Sequence, residues 1–261
     1  MLSLRRIVDQ NLTLPIEGIV GDPELTKEVQ QRLKDIGLYW GEIDGLFGRQ
    51  TDLANIRFCQ QRYLNCPVTG KYGPTWAKAL LSAKEEVRGL VSKSQAEHVF
   101  QNPIYPDELL DLSHCLGRFE IDRSSRRIRH FMAQIAHESG GLRWLKELAS
   151  GDDYEYRPDL GNNRPGDGRR FKGAGAIQLT GRANYQAFAD FVDDPRVMEG
   201  CDYVARVYPF TSGGFWWHDN GMNALCDRGA TVREVSRRVN GGYNGLEDRE
   251  YRYALACEVI A

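Results

Sequence analysis

From Glu24 to Ile36 the apolar residues Leu25, Val29, Leu33 and Ile36 recur at steps of four, four and three, the spacing of one helix face. Asp22 is placed to cap this helix, Pro23 takes its first position and Gly37 supplies the stop. Leu38 to Gly48 carries three glycines and Asp44 and reads as a tight loop. Thr51 then opens a second helix with Leu53, Ile56, Phe58 and Tyr63, and the turn from Val68 to Trp76 opens a third through Leu80 and Leu81. Ser82 to Asn102 is charged and helical in pattern, and Pro103 to Pro106 breaks it. Beyond the break, Asp107 to Leu116 reads as a helix, and Ser124 or Ser125 caps another whose apolar positions are Ile128, Phe131, Met132, Ile135 and Ala136. Alternating β-branched runs are scarce. The expectation is a mainly α protein with an N-terminal extension (1–21), a three-helix unit (22–82), a linker (83–103) and a helical C-terminal domain with long loops (104–261).

The chain has 261 residues, enough for one or two cored domains. Hydrophobic residues make up 41% and charged residues 27%, an ordinary globular balance that argues against global disorder. Lys and Arg number 34 against 36 Asp and Glu, so the formal charge of −2 gives no whole-molecule attraction for nucleic acid or an anionic membrane. No apolar run suits a bilayer span, and MLSLRRIVDQNLTLP has no uninterrupted apolar core of the signal-peptide kind. The expectation is synthesis in the cytoplasm without a signal peptide. The six cysteines form no C-x-x-C pair and read as buried free thiols. Cys59 and Cys66 lie seven apart, and a bridge between them in an oxidising compartment stays open.

The chemistry concentrates in four stretches. The helix that begins near Ser124 ends in Ala136-His137-Glu138-Ser139-Gly140-Gly141, so a carboxylate stands just before a double glycine. A second carboxylate, Glu147, follows nine positions later. An unbroken helix would separate the two by about 13.5 Å of rise and roughly 900° of rotation, so the side chains would point in opposite directions. The glycine break lets both face one cleft. Glycosidic cleavage needs a carboxylic acid to protonate the leaving oxygen and a carboxylate to activate water, about 6.5–9.5 Å apart when configuration inverts. Gly173 to Tyr185 joins backbone freedom to the amide, hydroxyl and phenol groups that bind sugar hydroxyls and N-acetyl groups. It is no dinucleotide loop, because Gln178 stands where the last glycine of G-x-G-x-x-G would be. Arg237 to Gly245 is a second polar, glycine-rich stretch suited to the opposite wall.

Two resemblances follow. The order L-x-x-x-V-Q-x-x-L-x-x-x-G, I-D-G-L-F-G-x-x-T and V-T-G-x-Y-G-P-x-T-W over residues 22–82 resembles the three-helix peptidoglycan-binding domain of cell-wall hydrolases. That resemblance implies Tyr39, Asp44, Phe47 and Tyr72 near a glycan or stem peptide. A-H-E-S-G-G, the glutamate nine residues on, G-x-G-x-I-Q-L-T-G-R-x-N-Y and R-R-V-N-G-G-x-N-G-L-x-D-R together resemble glycoside hydrolase family 19, in its bacterial and phage lysozyme-like branch. The resemblance implies a two-lobed, lysozyme-like α-helical domain and an inverting mechanism with Glu138 as acid and Glu147 as base. It implies substrate contacts by Gln178, Thr180, Asn184, Tyr185 and Asn240, with Arg249 supporting the carboxylates. The chain departs from the family at Ala174, where arginine is usual. The segment after Glu147 also holds Asp152, Asp153, Glu155 and Asp159, of which Glu155 is the rival base.

Plainer readings stand beside these. His137 reads as a packing residue, since H-E-x-x-H is absent and no metal triad is legible. Arg164, Arg169, Arg170, Lys172 and Arg182 read as a solvated face, with binding of stem-peptide carboxylates the alternative, Phe215-Trp216-Trp217 as core, with stacking on sugar rings the alternative, and Trp76 as core. The expected protein is a monomeric peptidoglycan hydrolase that needs no cofactor or metal, binds no nucleic acid, inserts in no membrane and acts at the cell wall after release or export. The alternatives are a chitinase, a non-catalytic wall-binding protein, and a zinc amidase acting on stem peptides.

Overall fold

The computed structural model describes residues 2–39, 41–60, 70–83 and 91–261. Tyr63, Cys66, Val68 and Thr69, which carry part of the second helix, the open disulfide and the following turn, lie outside the described residues. The chain forms two compact units, Met1–Arg88 with Asp190–Pro195, and Gly89–Ala189 with Arg196–Ala261.

In the first unit the elements are α1 (Leu4–Asp9), β1 (Leu14–Pro15), α2 (Ile16–Val20), α3 (Pro23–Asp35), α4 (Arg49–Gln60), β2 (Lys71–Tyr72) and α5 (Pro74–Ser82). The Asp22 carboxylate accepts from the Leu25 N–H at 3.1 Å, the cap the sequence called for. Residues 1–21 are not an appended extension. Leu4, Ile7 and Ile19 are fully buried, each such burial being worth about 1.5–3 kcal/mol. Leu14 pairs with Tyr72 and Pro15 with Lys71 in an antiparallel ribbon, α1 packs on α5, and Thr26 on α3 donates to the Ile19 carbonyl at 2.8 Å. Trp76 is 3% exposed and donates to Asn55 at 2.9 Å, so it is core as read.

The second unit is built from α6 (Lys93–Phe100), α7 (Pro106–Arg118), α8 (Ser125–Glu138), α9 (Asp167–Arg170), α10 (Arg182–Val192, whose last residues belong to the first unit), α11 (Cys201–Val207), α12 (Thr211–Asp219), α13 (Met222–Asp227), α14 (Val232–Asn240) and α15 (Leu246–Val259). The linker expectation fails at α6, where a Ser92–Gln95 capping box starts a helix that buries Ala96, Val99 and Phe100 in this unit's core. The central element is α8, buried continuously from His130 to Ala136, as a helix surrounded by others must be. Its most extensive partner is α15. On α7 the buried Asp111 accepts from the backbone N–H of Phe210 at 2.7 Å and of Thr211 at 3.0 Å, so a carboxylate from another helix serves the N-terminus of α12. Strand is confined, among the described residues, to the β1–β2 ribbon and the bridges Lys146–Ala174 and Ala174–Leu179. Cys59, Cys115, Cys201 and Cys226 are buried free thiols, while Cys257 is exposed. No helix among the described residues is long and apolar enough to cross a membrane.

Candidate active site

Glu138 is the last residue of α8. Gly140 and Gly141 take φ of +58° and +70°, and a Cβ on Gly141 would lie 2.3 Å from the Phe100 carbonyl oxygen, so only glycine ends the helix here without strain. Behind Glu138, Arg249 on α15 is 1% exposed. Its guanidinium donates to the Gln134 side-chain oxygen, to Glu138 Oε1 at 2.5 Å, and to the Asn244 carbonyl at 3.3 Å. One fork thus ties α8, α15 and the loop between α14 and α15. His137 pairs through Nδ1 with Asp248 at 2.8 Å, and a Cβ on Gly245 would fall 2.0 Å from its ring, so this histidine is a packed, oriented residue.

Glu147 is fixed from the other side of the glycine break. Its N–H donates to the Gly173 carbonyl at 2.9 Å, and its Oε2 accepts from the Gly173 N–H at 3.0 Å. Its Oε1 accepts from the Tyr154 phenol at 3.0 Å. Burial and then the Glu147 carboxylate raise the Tyr154 phenol above its ordinary range, so it stays a donor. Glu155 instead receives the N–H groups of Gly166 at 2.7 Å and Gly168 at 2.8 Å, one on each oxygen, and stitches its own loop together. Asp152 and Asp159 are paired with Arg169 and Arg157, each at 2.5 Å. The two candidate carboxylates therefore differ in surroundings, Glu138 held by a cation and Glu147 by neutral donors. A carboxylate offers about four lone-pair sites, so both keep capacity for a water or a sugar oxygen.

A cavity of about 450 Å³ opens beside this frame, lined by Gln178, Thr180, Asn184, Phe215, Trp216, Val239 and neighbours. Glu138 and Glu147 are not among its lining residues, but Trp144 links it to their loop: its N–H donates to the Ser139 carbonyl at 2.9 Å and its own carbonyl accepts from Gln178 Nε2 at 3.0 Å. Gln178 holds φ at +58°, Thr180 donates to the Gln178 carbonyl at 2.8 Å, and Asn184 donates to the Thr180 carbonyl at 2.7 Å. Trp217 is core, as read from sequence, whereas half-buried Phe215 and Trp216 turn an aromatic edge to the cavity.

Tyr185 is a correction. It is fully buried against Phe171, and its phenol donates to the Lys172 carbonyl at 2.7 Å. It braces the segment at Lys172 and Gly173 that holds Glu147, and its buried ring is not open to a substrate. Asn240 is exposed at the end of α14 and binds the Asn244 carbonyl at 3.1 Å, shaping the following loop. In the basic stretch, Arg169 and Arg182 are paired with Asp152 and Asp167, and Lys172 donates to the Ala149 carbonyl at 2.7 Å, leaving Arg164 and Arg170 as exposed surface. Among the described residues no group of three or more His, Cys, Asp and Glu is arranged to hold a metal ion.

In the first unit, Tyr39 and Tyr72 are 4% and 3% exposed and so cannot offer a ring to a ligand. Tyr39 donates to the Glu42 carbonyl at 2.8 Å, and Tyr72 packs on Trp76 with ring centroids 5.0 Å apart. Asp44 is exposed but accepts from Gln30 Nε2 and the Leu46 N–H, both at 2.8 Å, which hold its carboxyl below the ordinary range. Phe47 is half-buried beside Leu46, which is 69% exposed. The organising residue, missed in the sequence, is buried Gln30. Its amide nitrogen lies within 3.1 Å of Tyr39, Asp44, Leu46 and Thr51 oxygens, and its oxygen receives the Gly45 N–H at 2.9 Å.

Comparison with known proteins fits both units. The family model described as a peptidoglycan binding domain matches residues 22–80. A glycosyl hydrolase family 19 domain-containing protein of Haemophilus influenzae is 28% identical over 151 residues, covering 46% of this chain and 72% of that one. An endochitinase of Arabidopsis thaliana is 32% identical over 128 residues, covering 46% of this chain and 41% of the plant protein. Chitinase C from Streptomyces griseus superposes with a TM-score of 0.51 at 20% identity, over 66% of this chain and 93% of that one. A bacterial family 19 chitinase gives 0.53 at 18% identity, over 66% and 95%. The fold is the mainly α-helical one of these chitinases, and the similarity to family 19 hydrolases supports a glycosidase. Residues 22–80 match the peptidoglycan-binding domain model, and the rest of the chain is similar to glycoside hydrolase family 19 proteins.

Proposed function

We propose that the protein hydrolyses the N-acetylated glycan strand of bacterial peptidoglycan with inversion, Glu138 acting as general acid and Glu147 as general base. In this mechanism Glu138, steadied on Oε1 by Arg249, protonates the leaving glycosidic oxygen. Glu147, steadied by Tyr154 and Gly173, takes a proton from a water that attacks the anomeric carbon from the opposite face. Gln178, Thr180 and Asn184 offer hydrogen-bonding groups, and Trp216 an aromatic edge, to the sugar rings. The observation that carries the choice of polymer is the peptidoglycan-binding domain on the same chain. Such a domain raises the effective concentration of wall substrate at the hydrolase by tethering. On this reading the protein acts at the cell wall as a monomer, after leaving the cytoplasm.

A second reading, cleavage of chitin, is favoured by the relatives named as endochitinases. One experiment separates the two. Purified peptidoglycan and chitin oligomers are digested by wild type, Glu138→Gln and Glu147→Gln, and the products are read by mass spectrometry and anomeric NMR. New saccharide ends of inverted configuration from peptidoglycan, lost in both variants, are expected. Release from chitin alone would shift the substrate, a retained anomeric configuration would sink the mechanism, and no cleavage of either polymer would leave a wall-binding protein.

A further inference from the structure

The face of α14 turned to solvent carries positive charge that the hydrolytic reading does not use. Arg233 and Arg237 stand one turn apart on α14, both exposed. The Arg233 guanidinium lies 4.1 Å from the centroid of the Tyr243 ring, which is 43% exposed. Arg233 and then Arg237 hold the Tyr243 phenol below its ordinary range, so both cations gather at one ring. Two carboxylates close by in sequence, Glu234 and Asp248, are engaged elsewhere. Glu234 accepts the Thr231 N–H at 2.7 Å and its hydroxyl at 2.8 Å, and Asp248 is shared by His137 and Arg252. A guanidinium carries five N–H donors in a planar fork. A ring beneath it covers its face and leaves donors at its edge for a planar anion.

The position matters as much as the charge. The loop that carries Tyr243 is closed by Gly242 N–H on Asn240 Oδ1 at 2.8 Å and by Asn240 Nδ2 on the Asn244 carbonyl at 3.1 Å. The same Asn244 carbonyl accepts from Arg249, the residue that holds Glu138. Val239, immediately before Asn240, lines the cavity that holds Thr180 and Trp216. The cations therefore stand on the frame that borders the sugar-binding cavity and supports the candidate acid. The two candidate polymers differ at this point: chitin is an uncharged N-acetylglucosamine chain, whereas the peptidoglycan strand bears short peptides rich in carboxylates.

We propose that Arg233, Arg237 and Tyr243 form a carboxylate-binding site that engages the stem peptide of the glycan strand and sets a preference for peptidoglycan over chitin. The inference rests on the glycan-hydrolysis reading above. The test uses the full chain, with Arg233→Gln, Arg237→Gln and the double variant against wild type. The substrates are glycan strands with intact stem peptides, the same strands stripped by an amidase, and chitin oligomers, and binding of a free stem peptide is measured by calorimetry. The double variant is expected to raise KM for peptide-bearing strands by roughly five- to tenfold, the scale of two partly exposed charge pairs. Its kcat, and its KM on stripped strands and chitin, should stay at wild-type values, and the wild-type preference should shrink as salt is raised. An equal KM rise on stripped strands, or no change on peptide-bearing ones, would overturn the site. If wild type cuts none of the substrates, the hydrolase reading fails by itself. Free-peptide binding that weakens in the double variant then still supports the carboxylate site, and unchanged binding refutes it.

Discussion

Asp167 is 1% exposed, yet it is charged and fully engaged. Its Oδ2 accepts from the N–H groups of Asn163 and Arg164, each at 3.0 Å, and from Arg182 Nε at 2.8 Å, while Oδ1 accepts from Arg182 Nη2 at 2.5 Å. The Arg182 bonds, outweighing burial, lower its carboxyl from an ordinary 3.8 to about 2. At about 1.36 kcal/mol per pH unit this gap is worth about 2 kcal/mol of folding stability at neutral pH. The folded value lies below the unfolded one, so the contribution is complete above the unfolded value and is lost as the pH falls from about 4 toward 2. Asp167→Asn keeps the shape, removes the charge and turns an N–H toward the donors of Arg182, so the loss at pH 7 should be about 2–4 kcal/mol. For a chain of this size that is a fall in Tm of roughly 5–12 °C. The assay is thermal or urea unfolding of both proteins from pH 7 down to pH ~2.5, the expected window from the linkage. Buried His130, lowered to about 4 chiefly by desolvation, destabilises both proteins alike as the pH falls below 6.5, so the difference between them isolates Asp167. Equal stability at pH 7, or a gap that stays constant into the acid range, would refute the reasoning. A lesser effect on turnover should accompany it, because Asn162, which accepts the Arg182 N–H at 2.8 Å, also donates to the Tyr154 carbonyl at 2.8 Å behind Glu147.

Replacing Arg249 by Met should cost about 3 kcal/mol, since it strands Gln134 and Glu138, and should lower kcat at least about tenfold; unchanged melting together with unchanged wall clearing would remove Arg249 from the frame. Tyr154→Phe deletes one hydrogen bond to Glu147 and should cut kcat at least about tenfold with KM kept, the scale of about 1.5–3 kcal/mol for one such bond to a charged group, whereas a change in KM alone would make Tyr154 a binding residue. Gly245→Ala forces a side chain onto a φ of +66° and against His137; a loss of at least about 2 kcal/mol is expected, and wild-type stability in denaturant would contradict the packing described.

The helices that the sequence made legible are those long enough to show a stripe, and α3 and α8 match their expected spans within a residue or two. The elements that escaped are short or charged. Leu4 and Ile7 are only three apart on a six-residue helix, with Arg5 and Arg6 between them, too little pattern to mark a core contribution. Lys93 to Phe100 reads as a charged stretch because one side is solvent-facing, although Ala96, Val99 and Phe100 lie at steps of three and one on the buried side. In both cases burial comes from partners far along the chain, which periodicity alone does not report.

The site shows a similar divide between position and direction. Glu138 and Glu147 were visible as a carboxylate pair around a helix break, but Tyr154, which holds Glu147, sits in a single 3-10 turn with no periodic signature. Tyr185 was visible in the opposite sense. With Phe188, Ala189 and Val192 it forms the i, i+3, i+4, i+7 buried stripe of α10, so its own helix pattern points it inward even though the polar motif around it suggests a cleft. The same holds in the first unit, where Tyr39 and Tyr72 serve the core and the loop is shaped by Gln30, a residue whose polarity hides its burial. A motif therefore identifies which segment borders a cleft, and the helical phase of each residue decides which side chains reach it. Applied to α14, that phase turns Val235 and Ser236 inward and leaves Arg233 and Arg237 outward beside Tyr243, which is why the charge on this helix, more than the polar residues of the loop alone, is where selection between a charged and an uncharged glycan should be sought.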